Sequence, residues 1–173
     1  MIKKKDKMLV DKKHIEKSID ELDVLRNETI KETFEQVNIN FRNIFSTLLP
    51  GAMAKIEKVD EGDISQGMNI RIGFNDNWKD GLSELSGGQR SLLALSFILA
   101  LLKVKPAPIY ILDEIDAALD LSHTQNIGKM IKTYFPQSQF LIISLKEGMF
   151  THANVLYKTE FNEGKSKITR FAY

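Results

Sequence analysis

Cysteine is the first residue type that this chain lacks, since none occurs among its 173 residues. This absence excludes disulfide bonds and thiolate metal sites, and it fits a reducing compartment. Long hydrophobic runs are also missing, because the longest, from Leu92 to Leu102, is shorter than the roughly 18 apolar residues that cross a bilayer. The lysine-rich start has no apolar segment of the signal-peptide kind. We therefore expect no membrane association.

An excess of charge of one sign is missing as well. The chain has 24 Lys and Arg against 23 Asp and Glu, a formal net charge of +1. The field of the whole chain therefore predicts neither nucleic-acid nor membrane binding. Seven lysines precede Ile19, but Asp6, Asp11 and Glu16 interrupt them. We interpret this cluster as the solvated face of a helix rather than a DNA-binding patch.

Helix breakers are scarce in the first part of the chain, where Pro50-Gly51 is the first strong one. A heptad-like seam of apolar residues leads up to it at intervals of four and three: Ile30, Phe34, Val37, Phe41, Ile44 and Leu48. The pattern predicts a helix of about 45 residues within 1–48 that pairs with another helix as a coiled coil. The alternative is one amphipathic helix that lies across the domain.

Residues 49–173 change to alternating strands and helices, which predicts an α/β fold with a mixed sheet flanked by helices. We expect "NDNWKDG", residues 75–81, to be a polar loop, and "IYILD" to be a strand in a sheet covered on both faces. The other predicted elements are strands Ala52–Val59 and Met68–Phe74, helix Gly87–Leu102, helix Ser122–Phe135, strand Gln139–Ser144, and a hairpin of Val155–Phe161 with Lys167–Phe171.

The loop "LSGGQ", Leu85 to Gln89, stands where the second helix begins. Ser86 can accept a hydrogen bond from the backbone near Gln89, and the pair fits a capping box. Gly87 and Gly88 lack Cβ atoms where a ligand would meet backbone N–H groups at the positive end of the helix dipole. The loop is therefore suited to phosphate. A capped helix after a flexible turn is the simpler alternative.

Two adjacent carboxylates, Asp113 and Glu114, follow an apolar strand at its carboxyl end, where α/β sheets bind ligands. One carboxylate suits Mg²⁺, directly or through water, and the other suits activation of an attacking water. In an extended chain the two side chains point to opposite sides of the strand. The alternative is that the Asp-Glu pair caps the next helix.

Three segments in order resemble ABC-type ATPases. "LSGGQ" resembles their signature motif, "IYILDE" resembles their Walker B strand, and Ala117-Ala118-Leu119-Asp120 resembles their D-loop. The long first helix narrows the resemblance to SMC proteins, whose ATPase heads sit on coiled coils. Within the SMC family, the similarity is greatest to condensin, and in particular to the condensin subunit that pairs with an SMC-four-type subunit. Three segments carry it: "FSTLLPGA", "KPAPIYILDEIDAALDLSHTQNIG" and "SLKEGMF".

Two departures from the ABC pattern refine the resemblance. No P-loop is present, because the one "GKS", at Gly164 to Ser166, has Thr159 where the first glycine belongs and falls in a predicted hairpin. Leu145 stands where transporter ATPases have a switch histidine, which leaves more of the water activation to Glu114. We expect the chain to be the C-terminal lobe of an ABC-type ATPase head, which in an SMC protein follows the part of the coiled coil that folds back towards the head. We expect it to be inactive until an N-terminal P-loop lobe and a second head complete the site.

The resemblance also implies roles and partners. ATP and Mg²⁺ are the implied cofactors, with Asp113 near the metal and Glu114 as the base. The signature motif would meet ATP held by another head, and the D-loop would cross that interface. The implied roles belong to these residues: catalytic Glu114; metal Asp113; signature Leu85, Ser86, Gly87, Gly88 and Gln89; D-loop Ala117, Ala118, Leu119 and Asp120; kleisin or coiled-coil seam Ile30, Phe34, Val37, Phe41 and Ile44.

The implied partners are the N-terminal lobe of the same protein, an SMC-four-type condensin subunit, a kleisin subunit and DNA, without a membrane. The implied location is the nucleus and chromosome, and the cytoplasm when the protein is off the chromosome. Two alternatives stay open. One is the head of a different ATPase, from cohesin, DNA repair or a transporter. The other is a non-catalytic module whose coiled coil is the working part.

Overall fold

The computed structural model describes residues 2–60, 63–74, 77–79 and 82–173. It confirms the alternation of helices and strands that predicts a mixed α/β fold. The elements in chain order are α1 Ile2–Leu48, β1 Ala52–Asp60, β2 Asp63–Phe74, β3 Asn77–Lys79, a 3₁₀ turn Leu82–Glu84, α2 Gly87–Val104, β4 Ile109–Asp113, α3 Leu121–Tyr134, β5 Gln139–Ile143, α4 Glu147–Phe150, β6 Val155–Asn162 and β7 Lys165–Ala172.

Helix α1 has two parts with different environments. Residues 4–33 are exposed, whereas its last turns enter the hydrophobic core against α2 and β1. The ring of Phe41 meets Phe97 of α2 edge-on, with centroids 5.7 Å apart. The alternative, an amphipathic helix that lies across the domain, therefore describes the last turns of α1. The expected pairing of its exposed part with another helix stays a prediction.

The predicted seam is wrong at its lower end. Val37, Phe41 and Ile44 are at most 4% exposed because they pack into the core of this chain, so a partner helix cannot reach them. Ile30 stays 40% exposed and Phe34 is half-buried. Heptad spacing cannot distinguish a seam for another helix from a face that a helix lays on its own domain, since both need one apolar stripe.

The strands form three separate sheets: antiparallel β1-β2-β3, parallel β4-β5, and antiparallel β6-β7. The expectation that residues 75–81 are a polar loop is wrong at Asn77–Lys79, which pairs with β2 as β3. The indole of Trp78 explains this strand, because it covers Gly73 so closely that a Cβ there would lie 3.2 Å from the ring. The ammonium of Lys55 covers the same ring at 4.3 Å.

The parallel pair β4-β5 is covered on one face only, which corrects the expectation of burial on both. Tyr110 lies on the covered face and packs on Phe135 and Phe140. Four apolar side chains are exposed on the other face: Ile109 and Ile111 of β4, and Leu141 and Ile143 of β5. Ile111 and Leu141 are register partners. We name these four the open sheet face.

The β6-β7 hairpin confirms the interpretation of "GKS" as a false P-loop. Glu163 and Gly164 form its two-residue turn, both with positive φ, 51° and 76°, as a type I′ turn requires. Lys165 then begins strand β7, so no helix follows the glycine. A phosphate-binding P-loop needs that helix, because its N-terminal N–H groups hold the phosphates.

Helix α2 is long and apolar enough, by length and composition alone, to cross a membrane, although the apolar run within it, Leu92 to Leu102, is shorter than a membrane span. In the fold one face of the helix enters the core, with Leu92, Leu99 and Ala100 completely buried. A core helix passes the same test of length and composition as a membrane span.

Asn38 joins α1 to the edge of the first sheet. Its side-chain amide donates to the carbonyl of Ile56 at 3.0 Å and accepts from the N–H of Ile56 at 2.9 Å. Strand β1 is an edge strand, and these two bonds replace a missing neighbour strand at that position.

Replacing Asn38 with alanine should therefore destabilise the junction of helix and sheet. Two part-buried backbone groups lose their partners, and we expect a loss of about 1–3 kcal/mol in the free energy of unfolding. Urea unfolding and amide hydrogen exchange in β1 measure it. Asn43→Ala, at an exposed position on the same helix, is the control and should change stability by less than about 0.5 kcal/mol. Equal stability of the two variants would contradict the role of Asn38.

Candidate phosphate-binding site

The signature loop is held by the capping box that the sequence predicts. The hydroxyl of Ser86 accepts from the N–H of Gln89 at 3.2 Å, and the side-chain oxygen of Gln89 accepts from the N–H of Ser86 at 3.1 Å. Leu85 is 5% exposed and anchors the loop in the core. Ser86 and Gly87 are exposed, so the N-terminus of α2 faces solvent.

The two glycines of the loop differ in their surroundings, which the sequence did not predict. A Cβ at Gly88 would lie 3.3 Å from the carbonyl oxygen of Ala118, so packing within the chain favours glycine there. A Cβ at Gly87 would meet nothing within 4 Å. Packing therefore gives no reason for glycine at 87, whereas close approach of a ligand to the backbone would give one.

Asp113 and Glu114 lie at the carboxyl end of β4, as predicted, and both are exposed. Asp113 is two residues beyond Ile111, so its side chain belongs to the open sheet face. Glu114 is not extended: its φ is +46°, and its N–H donates to the carbonyl of Ile143 at 2.9 Å. The expected arrangement on opposite sides of an extended strand therefore does not describe Glu114, which turns out of the strand.

The predicted D-loop, Ala117 to Asp120, is a tight turn between β4 and α3. Asp120 is the N-cap of α3, and its carboxylate accepts from the N–H of His123 and from the hydroxyl of Ser122, both at 2.9 Å. The N–H of His123, and then the hydroxyl of Ser122, lower the pKa of Asp120. The alternative in which Asp113-Glu114 caps this helix is therefore excluded. The cap itself was missed, although an Asp directly before a helix is its usual signal.

Three further residues of this site were missed by the sequence analysis. Asp116 is 2% exposed, and its carboxylate accepts from the hydroxyl of Ser144 at 2.6 Å. The ammonium of Lys146 donates to the carbonyls of Asp116 at 2.7 Å and Ala117 at 3.0 Å, and to that of Leu119. A lysine that bonds to backbone carbonyls has no residue spacing by which a sequence would reveal it.

The chemistry of Asp113 fits a shared magnesium site. Within the described part of the chain, no three His, Asp or Glu side chains lie close enough to hold a metal ion. Mg²⁺ often takes only one or two carboxylates from the protein and completes its shell with phosphates and waters. An exposed carboxylate at the edge of an uncovered sheet face suits that arrangement.

Fold and site together define an α/β head lobe with an outward-facing phosphate-type loop and a long projecting helix. The family described as RecF/RecN/SMC N terminal domain matches residues 2–167, and the chain belongs to this SMC family. The description names an N-terminal domain, which differs from the C-terminal lobe that the order of motifs predicts.

Curated relatives agree with the family. The chain is 59% identical to Structural maintenance of chromosomes protein 2-1 of Arabidopsis thaliana over 98% of its own length, and 52% identical to Structural maintenance of chromosomes protein 2 of Homo sapiens over 99%. In both cases it spans 14% of the relative's length.

Solved SMC heads have the same fold. The Smc head domain of Pyrococcus furiosus, solved with an extended coiled coil and bound to the C-terminal domain of ScpA, is 32% identical with a TM-score of 0.83. That match covers 98% of this chain and 43% of the other. The SMC head domain of Thermotoga maritima is 26% identical with a TM-score of 0.62, over 86% of this chain and 52% of the other.

Proposed function

We propose that this chain is the C-terminal half of a condensin SMC ATPase head, of the subunit-two type. It would supply the signature loop, the Walker B carboxylates and the D-loop for ATP-dependent engagement of two heads and for hydrolysis, which drive chromosome condensation. The observation that carries the proposal is the pair of glycines: Gly88 packs on the D-loop, while Gly87 faces open space at a capped helix N-terminus. High identity to the SMC proteins 2 supports the subunit type.

The choice of the C-terminal lobe rests on this chain's own residues. Its sequence has the signature and Walker B elements but no P-loop, since Gly164 and Lys165 belong to a hairpin. The open sheet face has four apolar side chains that need cover. A lobe with the missing P-loop, packed there, would cover them and bring its nucleotide to Asp113 on the same face.

In the proposed mechanism, ATP lies on the P-loop of the N-terminal lobe. Asp113 would hold Mg²⁺, which would supply neutralisation of the phosphate charge. Glu114, which is exposed where the chain leaves β4, would take a proton from the attacking water. Leu145, at the position of the transporter switch histidine, is 90% exposed and offers no proton acceptor. The loop at Ser86 donates backbone N–H groups to the γ-phosphate held by the second head.

The proposed partners are the N-terminal lobe, an SMC-four-type subunit, a kleisin and DNA, and the proposed location is the nucleus and chromosome. A kleisin helix would pack on α1 on the N-terminal side of its buried residues, where Ile30 and Phe34 are still accessible. A different SMC-type head, from cohesin or DNA repair, would share the site and differ in partners. A non-catalytic module would give no reason for a glycine beside open space at position 87.

Mixing the chain with its complement tests the proposed lobe. The chain alone is expected to show negligible ATPase activity and only weak nucleotide binding, because no P-loop holds the phosphates. Addition of the matching P-loop lobe should restore ATP binding by calorimetry and, with the partner head, turnover. Micromolar affinity of the isolated chain for Mg-ATP would contradict the assignment to the C-terminal lobe.

A further inference from the structure

The ammonium of Lys146 forms hydrogen bonds with the backbone of one turn. Its hydrogen bonds go to the carbonyls of Asp116, Ala117 and Leu119, so the three donors of the ammonium meet three acceptors within four residues. Within the described chain, no carboxylate forms an ion pair with it. A charged donor strengthens each of these bonds relative to a neutral one.

Ser144 provides a second connection between the same segments. Its hydroxyl donates to the buried carboxylate of Asp116 at 2.6 Å and accepts from the N–H of Lys146 at 3.0 Å. The residue between them, Leu145, is 90% exposed. The residues that follow β5 therefore hold Asp116, directly before the D-loop, by its side chain, and hold the turn through its backbone carbonyls.

The base of Lys146 is itself fixed by close packing. Lys146 is the N-cap residue of α4, and α4 lies against α3 through Gly148. A Cβ at Gly148 would come within 3.0 Å of the carbonyl of Leu121. Glycine at 148 therefore allows α4, and with it the backbone of Lys146, to lie close to the start of α3 beside the turn.

These contacts form one continuous path across the site. The N–H of Glu114 bonds to Ile143 at the end of β5, Ser144 and Lys146 follow directly, and they hold the D-loop. The carbonyl oxygen of Ala118 in that loop would lie 3.3 Å from a Cβ at Gly88, so the D-loop and the signature loop are in close contact. The position of the turn thus sets both the loop at α2 and the strand end at Glu114.

We propose that Lys146 is a positioning residue, which locks the D-loop turn at residues 116–120 in register with the signature loop. It touches no substrate and acts through the backbone it holds. The inference rests on the proposed ATPase function and adds a determinant of how the two ends of the site stay aligned. Without the ammonium, the carbonyls of Ala117 and Leu119 lose this donor, while that of Asp116 keeps the N–H of Leu119 at 3.0 Å. The turn can then shift relative to Gly88.

The test is Lys146→Met in the full-length subunit, assembled with its SMC partner and kleisin. We expect the turnover number to fall at least about ten-fold while the KM for ATP stays within about two-fold, because misplacing a catalytic segment by a small distance costs rate more than binding. ATP-dependent cross-linking of the two heads should fall in parallel. Lys146→Arg keeps charge and donors and should recover part of the loss. Lys129→Met, at an exposed position on α3, is the matched control.

Hydrogen exchange separates this inference from the proposed function. Backbone amides of residues 114–121 should exchange faster in Lys146→Met than in Lys129→Met. This difference is measured without ATP, so it does not depend on whether the head hydrolyses ATP. Unchanged exchange there, or turnover equal to the control, would overturn the role of Lys146 and leave the ATPase proposal standing. Normal turnover in Glu114→Gln would instead remove the proposed base and leave the exchange result valid.

A loss of folding must also be distinguished from a loss of position. If Lys146→Met lowers the melting temperature below the assay temperature, Ser144→Ala replaces it, since it removes the bond to Asp116 and the acceptor for the N–H of Lys146. Ser144→Ala should also slow turnover without a change in the KM for ATP. Turnover that falls only in proportion to the folded fraction would refute a positioning role.

Discussion

Glu114→Gln in the full-length subunit is expected to leave ATP-dependent head pairing intact while hydrolysis nearly stops. Glutamine keeps the size and the hydrogen-bonding reach of glutamate but cannot take a proton from water. Loss of a general base typically costs about 10²–10⁴ in rate. Leu145, at the position of the transporter switch histidine, offers no proton acceptor that could replace the base. Paired heads should therefore accumulate in ATP, as measured by cross-linking alongside phosphate release.

The chain offers a close control for this substitution. Glu163 is the other described non-glycine residue with a positive φ, 51° against 46° for Glu114, and it lies in the hairpin turn. Glu163→Gln therefore repeats the chemical change in the same backbone conformation, away from the site, and should hydrolyse ATP normally. Near-normal turnover in Glu114→Gln would remove it from the role of base.

Ser86→Arg is expected to block head engagement and turnover while ATP still binds to the same head. In the proposed head, the P-loop that holds this head's own nucleotide would lie in the other lobe, so the loop at Ser86 would serve a different ATP. A long charged side chain beside Gly87 fills the space that a γ-phosphate would enter. Turnover should fall to background, whereas nucleotide affinity measured by calorimetry should change little.

Two smaller substitutions separate the causes of that loss. Ser86→Ala removes the N-cap bond to Gln89, at a cost of about 0.5–2 kcal/mol in stability, but adds no bulk. Gly87→Ala adds a Cβ where this chain has open space, so it should leave folding unchanged and still weaken engagement. Full engagement in both Ser86→Arg and Gly87→Ala would show that no ligand meets this loop.

Local chemistry explains the parts of the fold that the sequence predicted. The first helix follows from an apolar repeat with no breaker before Pro50, and the capping box follows from Ser86 and Gln89 three residues apart. The hairpin around Gly164 follows from turn residues between two strand-like segments. Each of these signals lies within a few neighbouring residues, so no knowledge of distant packing was needed.

Contacts between distant segments account for what the sequence could not predict. The stripe through Phe41 fits a partner helix and the chain's own core equally well, and only the packing on Phe97 decides between them. Strand β3 depends on an indole that covers Gly73. The bonds of Lys146 to the D-loop join residues about thirty positions apart, and backbone carbonyls are acceptors in every sequence.

The open sheet face has a consequence for the folding of a full-length subunit. Two adjacent parallel strands with exposed isoleucine and leucine side chains can associate with other apolar surfaces until they are covered. In the proposed head, the residues that would cover them belong to another lobe, so this surface stays unprotected until the two lobes dock. The interval before docking would then be the period in which aggregation, chaperones and proteases compete with folding.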